Sequence, residues 1–229
     1  MAVVYGISDS EYLLVKKYPK SVRKFADIDI AHQELINELK KEPDGFFEKI
    51  KRFSKKRQLN KFKKNEKDPL QAGTKGERQV LEQLSKLSDN YFIICGPRIK
   101  LEKWLRYKGR RNLRSAQMDF VVVSRKGVIL IEVKNWSDKY LKNNKFNPYE
   151  QTERAGKVLW YYLQSWSSSP SVMNILLPTR ENMEYNRNYK HVFVINLENI
   201  NHFIEERSER LNDKDVKSIV KKLKDFASG

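Results

Sequence analysis

Apolar residues recur at helical spacing near both ends of the chain. Residues 29–39, 46–62 and 216–226 each place apolar side chains three or four positions apart, which predicts amphipathic helices. A shorter apolar run over residues 12–15 predicts another helix that ends before Pro19. Since no strand-like alternation interrupts the first block, we predict an all-helical extension over residues 1–70. Residues 199–229 are expected to form a helical segment that packs on the domain between.

The middle block, residues 71–198, contains short apolar runs of the kind that form buried strands. Helical spacing over residues 73–87 and 148–163 separates these runs, which cover residues 91–95, 118–123, 128–133 and 191–197. The order of helix, three strands, helix, strand and helix predicts an α/β domain with a mixed β-sheet and flanking helices. The four residues 124–127 between the second and third runs predict a tight hairpin of two central strands.

Three ionisable residues lie on this predicted hairpin, where a charge is costly to bury. Asp119 begins one strand, and Glu132 and Lys134 lie near the end of the other. A turn centred on Arg125-Lys126 pairs Asp119 directly with Glu132, whereas a turn centred on Lys126-Gly127 sets them diagonally. Either register brings the two carboxylates within about 5–8 Å on one face of the sheet. Lys134 shares the face of Glu132 because the two are separated by one residue.

Two convergent carboxylates and an ammonium group favour metal-assisted phosphate chemistry. Oxygen ligands suit Mg²⁺, and a bound metal can acidify water and neutralise charge on a phosphate. The carboxylates should keep Lys134 charged, which favours a positioning and electrostatic role over that of a general base. The alternative is a purely structural hairpin, in which Lys134 neutralises Glu132 and Asp119 caps a strand.

The composition favours a globular protein with a polyanionic partner. The 229 residues include 46 Lys and Arg against 29 Asp and Glu, a formal net charge of +17. Their 11 Phe, 11 Tyr and 4 Trp argue against full disorder. A single cysteine, Cys95, excludes a disulfide scaffold and suggests a reducing, cytoplasmic compartment. We find no apolar run of membrane-span length and no secretion signal in residues 1–20.

The basic residues are concentrated in two segments that could bind nucleic acid. Residues 49–67 hold ten basic residues against one acid, and residues 98–114 hold eight against one. We expect the second segment to loop over the catalytic edge of the sheet, with its cations on phosphates and its aromatic residues stacked on a base. The candidates for nucleic-acid binding are Lys55, Lys56, Arg57, Arg98, Lys100, Lys103, Trp104, Arg106, Tyr107, Lys108, Arg110, Arg111 and Arg114.

Other interpretations of these basic segments stay open. The first could be a solvated helix face or bind an acidic membrane surface, and the second could be a mobile surface loop. No helix-turn-helix or zinc-finger pattern offers base readout, so little sequence specificity is expected.

Five short segments, in order, resemble a known family. Asp119 followed by Glu132-Val133-Lys134 matches the D…(D/E)-x-K core of the restriction-endonuclease-like nucleases. Within that superfamily, residues 73–198 resemble the nuclease-related domain called NERD. The matching segments are GER (76–78), QMDFVVV (117–123), GVILIEVKNW (127–136), NPYEQ (147–151) and the hydrophobic strand HVFVINL (191–197).

The resemblance implies a restriction-endonuclease-like fold and a set of metal ligands. Asp119 and Glu132 correspond to the main ligands, and the main-chain carbonyl of Val133 often joins them. Glu77, at the start of the first helix, approaches the metal directly or through water. An ordinary first-turn acid, favoured by the helix dipole, is the alternative for Glu77.

The resemblance also implies that Lys134 is the catalytic lysine and that Gln151 orients the site, although Gln151 could be an ordinary helix residue. We therefore expect a Mg²⁺- or Mn²⁺-dependent nuclease over residues 71–198 that cuts DNA, with RNA left open. The basic extension should increase affinity, no membrane partner is expected, and a homodimer is left open. The rival hypotheses are a nucleic-acid-binding module of the same fold with weak or lost catalysis, and a membrane-surface adaptor.

Overall fold

The computed structural model describes residues 1–41, 43, 46–65, 68–136, 147–164, 170–180 and 183–228. It divides into two compact units. One combines Met1–Asp9 with Lys75–Gly229, and the other is Ser10–Thr74. The N-terminal residues thus belong to the larger unit and not to the helical one.

The larger unit is built on a mixed sheet of six strands. In chain order, the strands of this unit are β1 (Val3–Tyr5), β2 (Phe92–Cys95), β3 (Arg98–Tyr107), β4 (Arg110–Gln117), β5 (Phe120–Ser124), β6 (Gly127–Lys134), β7 (Val172–Pro178) and β8 (Val192–Val194). The large sheet has the order β1-β2-β5-β6-β7-β8, and β3 and β4 form a separate two-stranded sheet. Within the large sheet, β5 pairs antiparallel with β2 and β6, and the other pairs are parallel.

Helices cover both faces of this sheet. The helices among the described residues are α1 (Asp9–Val15), α2 (Ala26–Lys40), α3 (Phe46–Asn65), α4 (Pro69–Leu84), α5 (Pro148–Leu163), α6 (Ile200–Glu205) and α7 (Asp213–Leu223). One core joins Val121 and Leu130 to α5 and α7, and the other joins Val122 and Ile129 to α4 and α6. Alternate strand residues enter opposite cores, as a sheet buried on both faces requires. The predicted mixed sheet with flanking helices is confirmed.

The central hairpin has the first of the two predicted registers. Phe120 pairs with Ile131 and Ser124 with Gly127, which leaves Arg125 and Lys126 as the turn. Gly127 has a φ of +121°, a conformation that favours glycine. Both strands are buried, as expected.

The basic segment 98–114 is not the loop that we expected. It forms an antiparallel hairpin, β3–β4, whose turn has left-handed residues at Lys108 and Gly109. Every second residue over much of β3 is buried, including Ile99, Leu101 and Tyr107, while charged side chains face outward. The high charge of the segment conceals this strand alternation.

Three other predictions about the sheet were wrong. Residues Val3–Tyr5 form β1 and pair with β2, so the first block is not all-helical. β7 was not predicted, although it lies between β6 and β8. β8 is a short strand at the sheet edge in which only Val192 is buried, and the rest of the predicted run lies outside the strand.

The smaller unit has its own apolar core. Its buried residues are Leu14, Tyr18, Val22, Ile28, Leu35 and Phe62. The apolar face predicted for α3 is buried only toward its end, since Phe47, Ile50 and Phe53 are exposed. Within the part of the chain that the structure describes, no helix has the length and apolar character needed to cross a bilayer.

Candidate active site

The ionisable residues of the central hairpin meet where β5 begins and β6 ends. Asp119 lies directly before β5, while Glu132 and Lys134 lie at the end of β6. The backbone N–H of Val133 donates a hydrogen bond of 2.7 Å to Oδ2 of Asp119. Nζ of Lys134 donates to Oε1 of Glu132 at 2.6 Å. Glu132 is only 1% exposed, and Asp119 and Lys134 are partly buried beside it.

Glu77 joins this group from α4, the helix that packs on one face of the sheet. It is 5% exposed and lies within α4, not at its start. The family resemblance had placed it in a first turn, but α4 begins at Pro69, so the helix dipole does not explain an acid here. Glu77 acts electrostatically on both Asp119 and Lys134. We call Glu77, Asp119 and Glu132 the acid cluster.

A glycine allows α4 to approach the sheet edge this closely. A Cβ on Gly76 would lie 2.8 Å from Cβ of Asn135 and 3.0 Å from Oγ1 of Thr179. Asn135 follows β6 and Thr179 follows β7, two parallel strands whose carboxyl ends meet at this edge. The backbone N–H of Thr179 also donates to the carbonyl of Lys134. Gly76 therefore sets the distance at which the neighbouring Glu77 faces the hairpin.

The charges of the acid cluster raise two pKa values. The shift favours the neutral form of Asp119 and the charged form of Lys134. Burial, then the charges of Glu132 and Glu77, raise the pKa of Asp119 well above its usual range. Burial alone would lower the pKa of Lys134, but the carboxylates of Glu132, Asp119 and Glu77 raise it. Lys134 thus stays protonated, and the cluster is short of positive charge.

Gln151 is placed by a well-defined helix start. Asn147 caps α5 by accepting from the backbone N–H of Glu150, and Pro148 occupies the first turn. This confirms that residues 147–151 begin a helix. Oε1 of Gln151 is buried without a described hydrogen-bond partner. No described bond joins Gln151 to the acid cluster, so its role there stays a prediction.

Two features bear on whether a cation fits. Oε2 of Glu132 is buried and, among the described residues, accepts no hydrogen bond, which leaves an anionic oxygen that a hard cation could satisfy. No group of three His, Cys, Asp or Glu side chains in the described part of the chain has the geometry of a metal cage. Mg²⁺ commonly binds through one or two carboxylates and keeps several waters, so the donor set fits such an ion. The carbonyl of Val133 stays a predicted ligand.

The β3–β4 hairpin exposes most of the predicted phosphate-binding cations. The exposed side chains are Arg98, Lys100, Lys103, Arg106, Lys108, Arg110 and Arg111, and Arg114 is partly exposed. Trp104 is 49% exposed, with the guanidinium of Arg114 5.8 Å from its ring centre. Tyr107, by contrast, is 5% exposed and its hydroxyl donates to Glu153. Stacking of a base on Tyr107 is therefore excluded by its burial, whereas Trp104 stays a candidate.

The three predicted nucleic-acid-binding residues of the smaller unit, Lys55, Lys56 and Arg57, differ in the contacts that they already make. Nζ of Lys55 lies 3.1 Å from a carboxylate oxygen of Glu38, and the guanidinium of Arg57 lies over the ring of Phe53. Lys56 is exposed. Binding of nucleic acid by this helix remains a prediction.

Two residues near the site were not predicted. Asn135 and Thr179 flank the acid cluster from the ends of β6 and β7. Asn135 directly follows Lys134, which was a usable signal. Thr179 could have been found only by recognising β7, whose carboxyl end must lie beside that of β6.

A comparison with known families matches part of the chain, most of which lies in the larger unit. Residues 72–178 match the model of the nuclease-related domain. This segment is a NERD domain. The match begins within α4, spans both hairpins, α5 and β7, and contains the entire acid cluster and Lys134, which confirms the predicted family. It ends before residues 191–197, the last of the five segments that resemble the family. The structure is also similar to the small subunit, R.BspD6I2, of the heterodimeric restriction endonuclease R.BspD6I, with 16% identity, a TM-score of 0.32, and coverage of 67% of this chain and 81% of that chain. No curated protein sequence matches.

Proposed function

We propose that the NERD domain is a metal-dependent nuclease that hydrolyses phosphodiester bonds in DNA with little sequence specificity. One observation carries the proposal: Lys134 donates to the buried Glu132 at 2.6 Å, and Asp119 accepts at 2.7 Å from the backbone of the residue between them. Glu77, on α4, is also buried and acts electrostatically on this group. Burying such a cluster is costly, and stability alone does not require it. A cluster of this kind is a candidate functional site.

The cofactor in this proposal is Mg²⁺ or Mn²⁺. Asp119 and Glu132 would hold it, with Glu77 and the carbonyl of Val133 completing or supporting the protein's share of the ligands. A bound ion would lower the pKa of a coordinated water and neutralise charge on the phosphate. The raised pKa of Asp119 supports this assignment: burial and then repulsion from neighbouring acids raise it, and a cation would relieve the repulsion.

The chain's own residues position and neutralise the reacting groups. Lys134 carries a protonated ammonium group beside Glu132, so it can donate hydrogen bonds to a phosphate oxygen or hold a water in place. Its raised pKa argues against service as a general base. Gln151, whose amide oxygen is buried without a described partner, would orient the water or substrate.

The predicted substrate contacts follow from charge. The exposed cations of the β3–β4 hairpin would bind phosphates along the strand, and Trp104 would stack on an unpaired base. Phosphate contacts carry no sequence information, which supports low specificity. RNA as a substrate, a cytoplasmic location and a homodimer stay predictions.

Supercoiled plasmid provides the direct test. The protein is incubated with plasmid in Mg²⁺ or Mn²⁺, in EDTA, and as Lys134→Ala, with exposed Lys86→Ala as a matched control for lost charge. We expect cutting that requires metal and Lys134 and is unchanged in Lys86→Ala. Metal-independent cutting, or full activity of Lys134→Ala, would contradict the proposal.

A second candidate function is a nucleic-acid-binding module with weak or lost catalysis. It is favoured by the direct bond between Lys134 and Glu132 and by the lack of a three-residue metal cage among the described side chains. Retained DNA binding with no cutting in either metal would support the module. Binding to anionic vesicles but not to DNA would instead support an adaptor.

A further inference from the structure

A basic cleft lies at the end of the central hairpin opposite to the acid cluster. It surrounds the start of β6 and the start of β7, with a cavity of about 160 Å³. Four of its lining side chains are basic, Lys126, Lys190, Arg207 and Arg210, and the imidazole of His191 lies among them. No Asp or Glu is among the described residues that line it. This basic cleft is separated from the site of the proposed nuclease by the length of β5 and β6.

The walls of the basic cleft are tied together by the backbone. The N–H groups of Arg210 and Leu211 both donate to the carbonyl of Arg125, at 2.7 and 3.0 Å. On the other side, Nδ2 of Asn174 donates to the carbonyl of His191 at 3.2 Å. The segment that carries Arg207 and Arg210 is thereby fixed to the hairpin turn, so the cations are held near one another by the fold.

Three acids close in sequence to Arg207 and Arg210 form ion pairs with other residues. Arg125 makes ion pairs with Asp213 at 3.0 Å and with Glu209 at 3.8 Å. Glu206 contacts His202 at 3.1 Å. Among the described residues, no ion pair involves Lys126, Lys190, Arg207 or Arg210. Positive charges that a cleft holds together without acids attract an anion, because the anion relieves their mutual repulsion.

We propose that the basic cleft binds a phosphate group, carried either by a free nucleotide or by a nucleic-acid backbone. Arginine and lysine form charge-assisted hydrogen bonds with phosphate oxygens. Beside the cations, the cleft has an apolar wall that includes Met173 and Phe193, and Phe193 is 38% exposed. That ring offers a surface on which a base can stack.

The test is a titration followed by ¹H–¹⁵N spectra of the full chain in EDTA. The probes are inorganic phosphate, adenosine 5′-monophosphate and a short oligothymidylate. We compare the wild type with Lys190→Gln/Arg210→Gln, both exposed, and with Lys217→Gln/Lys221→Gln, which removes the same charge from exposed positions of α7. Melting temperatures check that both variants fold.

We expect saturable shifts of the amides of Gly127, Met173 and Phe193. The cleft variant should bind roughly tenfold more weakly or worse, since two charge-assisted contacts are lost, and the α7 variant should change little. Equal weakening in both variants, shifts confined to Glu132 and Lys134, or no saturable shift with any probe would overturn the proposal.

The probes also separate the sources of the phosphate. If the monophosphate binds as tightly as the oligothymidylate, the ligand is a free nucleotide. If the oligothymidylate binds more tightly and with a steeper salt dependence, the ligand is a nucleic-acid backbone. The titration needs neither metal nor cutting. Absence of phosphate binding in the basic cleft would therefore not contradict the proposed nuclease activity, and absence of cutting would not contradict phosphate binding in the cleft.

Discussion

At the scale of single residues, the charges of the acid cluster affect the stability of the fold. The pKa of Asp119 is raised in the folded chain by burial and by the charges of Glu132 and Glu77. A carboxyl whose folded pKa lies above its unfolded value favours folding only while it is protonated. Stability is therefore lost as the pH rises through the raised pKa.

Replacing Asp119 by Asn should stabilise the metal-free protein. The amide keeps an oxygen for the N–H of Val133 but carries no charge at any pH. We expect Asp119→Asn to melt at a higher temperature than the wild type in EDTA at pH 8, and the difference to shrink toward pH 4. Thermal unfolding across this range measures it, with exposed Asp89→Asn as control. Lower stability of Asp119→Asn at every pH would show that the carboxylate stabilises the fold.

The same residue separates catalysis from binding. Asp119→Ala removes a proposed metal ligand but leaves the basic residues of the β3–β4 hairpin in place. We expect metal-dependent plasmid cutting to be abolished, while the dissociation constant for DNA in EDTA changes by no more than about twofold, since phosphate contacts dominate such affinity. Gel-shift and cleavage assays on one preparation give both values. An equal loss of binding would assign Asp119 a structural role.

At the scale of elements, local signals were predictable from the sequence and long-range pairings were not. The β5–β6 hairpin is joined by a two-residue turn, so the meeting of Asp119 with Glu132 follows from nearby residues in either of the two predicted registers, and the structure has the first. β7 pairs with β6 across α5 and could not be placed by local pattern. β1 has only three residues, too few for a detectable period.

The candidate active site shows the same difference between local and long-range features. Residues on the central hairpin were identified correctly as neighbours, whereas the position of Glu77 within its helix was not. The helical pattern over residues 73–87 shows a helix but does not show where it begins. Close approach of Gly76 to Asn135 and Thr179 is a tertiary contact, so the sequence contains no local record of it.

The packing of α5 on β7 offers a test at this scale. A Cβ on Gly156 would lie 1.8 Å from Oδ1 of Asn174, with the other amide atoms also closer than 3.0 Å. Asn174 is 8% exposed, and its Nδ2 donates to the carbonyl of His191, so it has little room to move. We expect Gly156→Ala to lower the free energy of unfolding by about 1–3 kcal/mol, despite the better helix propensity of alanine. Urea unfolding measures the change.

A double-mutant cycle identifies the cause of that loss. If the clash with Asn174 is responsible, Gly156→Ala should cost less when Asn174 is also replaced by Ala. A single variant as stable as the wild type, or a cost that does not depend on Asn174, would contradict this account.

At the scale of the whole molecule, the net charge of +17 is distributed over surfaces that belong to both units. The β3–β4 hairpin and the basic cleft lie in the larger unit, and the cations of α3 lie in the smaller one. Because β1 belongs to the large sheet, deleting residues 1–70 would remove a strand as well as the basic helices. Substitution on α3 is the cleaner experiment.

The contribution of α3 to DNA affinity can be measured through salt. Lys56 and Arg57 are exposed, and neither belongs to the larger unit. If both contact phosphates, Lys56→Gln/Arg57→Gln should weaken DNA binding and reduce the slope of log affinity against log salt by about 1.8, or about 0.9 for each contact. Fluorescence anisotropy with a labelled duplex in EDTA, at several salt concentrations, gives the slope. Lys217→Gln/Lys221→Gln removes equal charge from α7, so a similar change there would point to net charge alone. An unchanged slope in the α3 variant would mean that its basic face is only solvated.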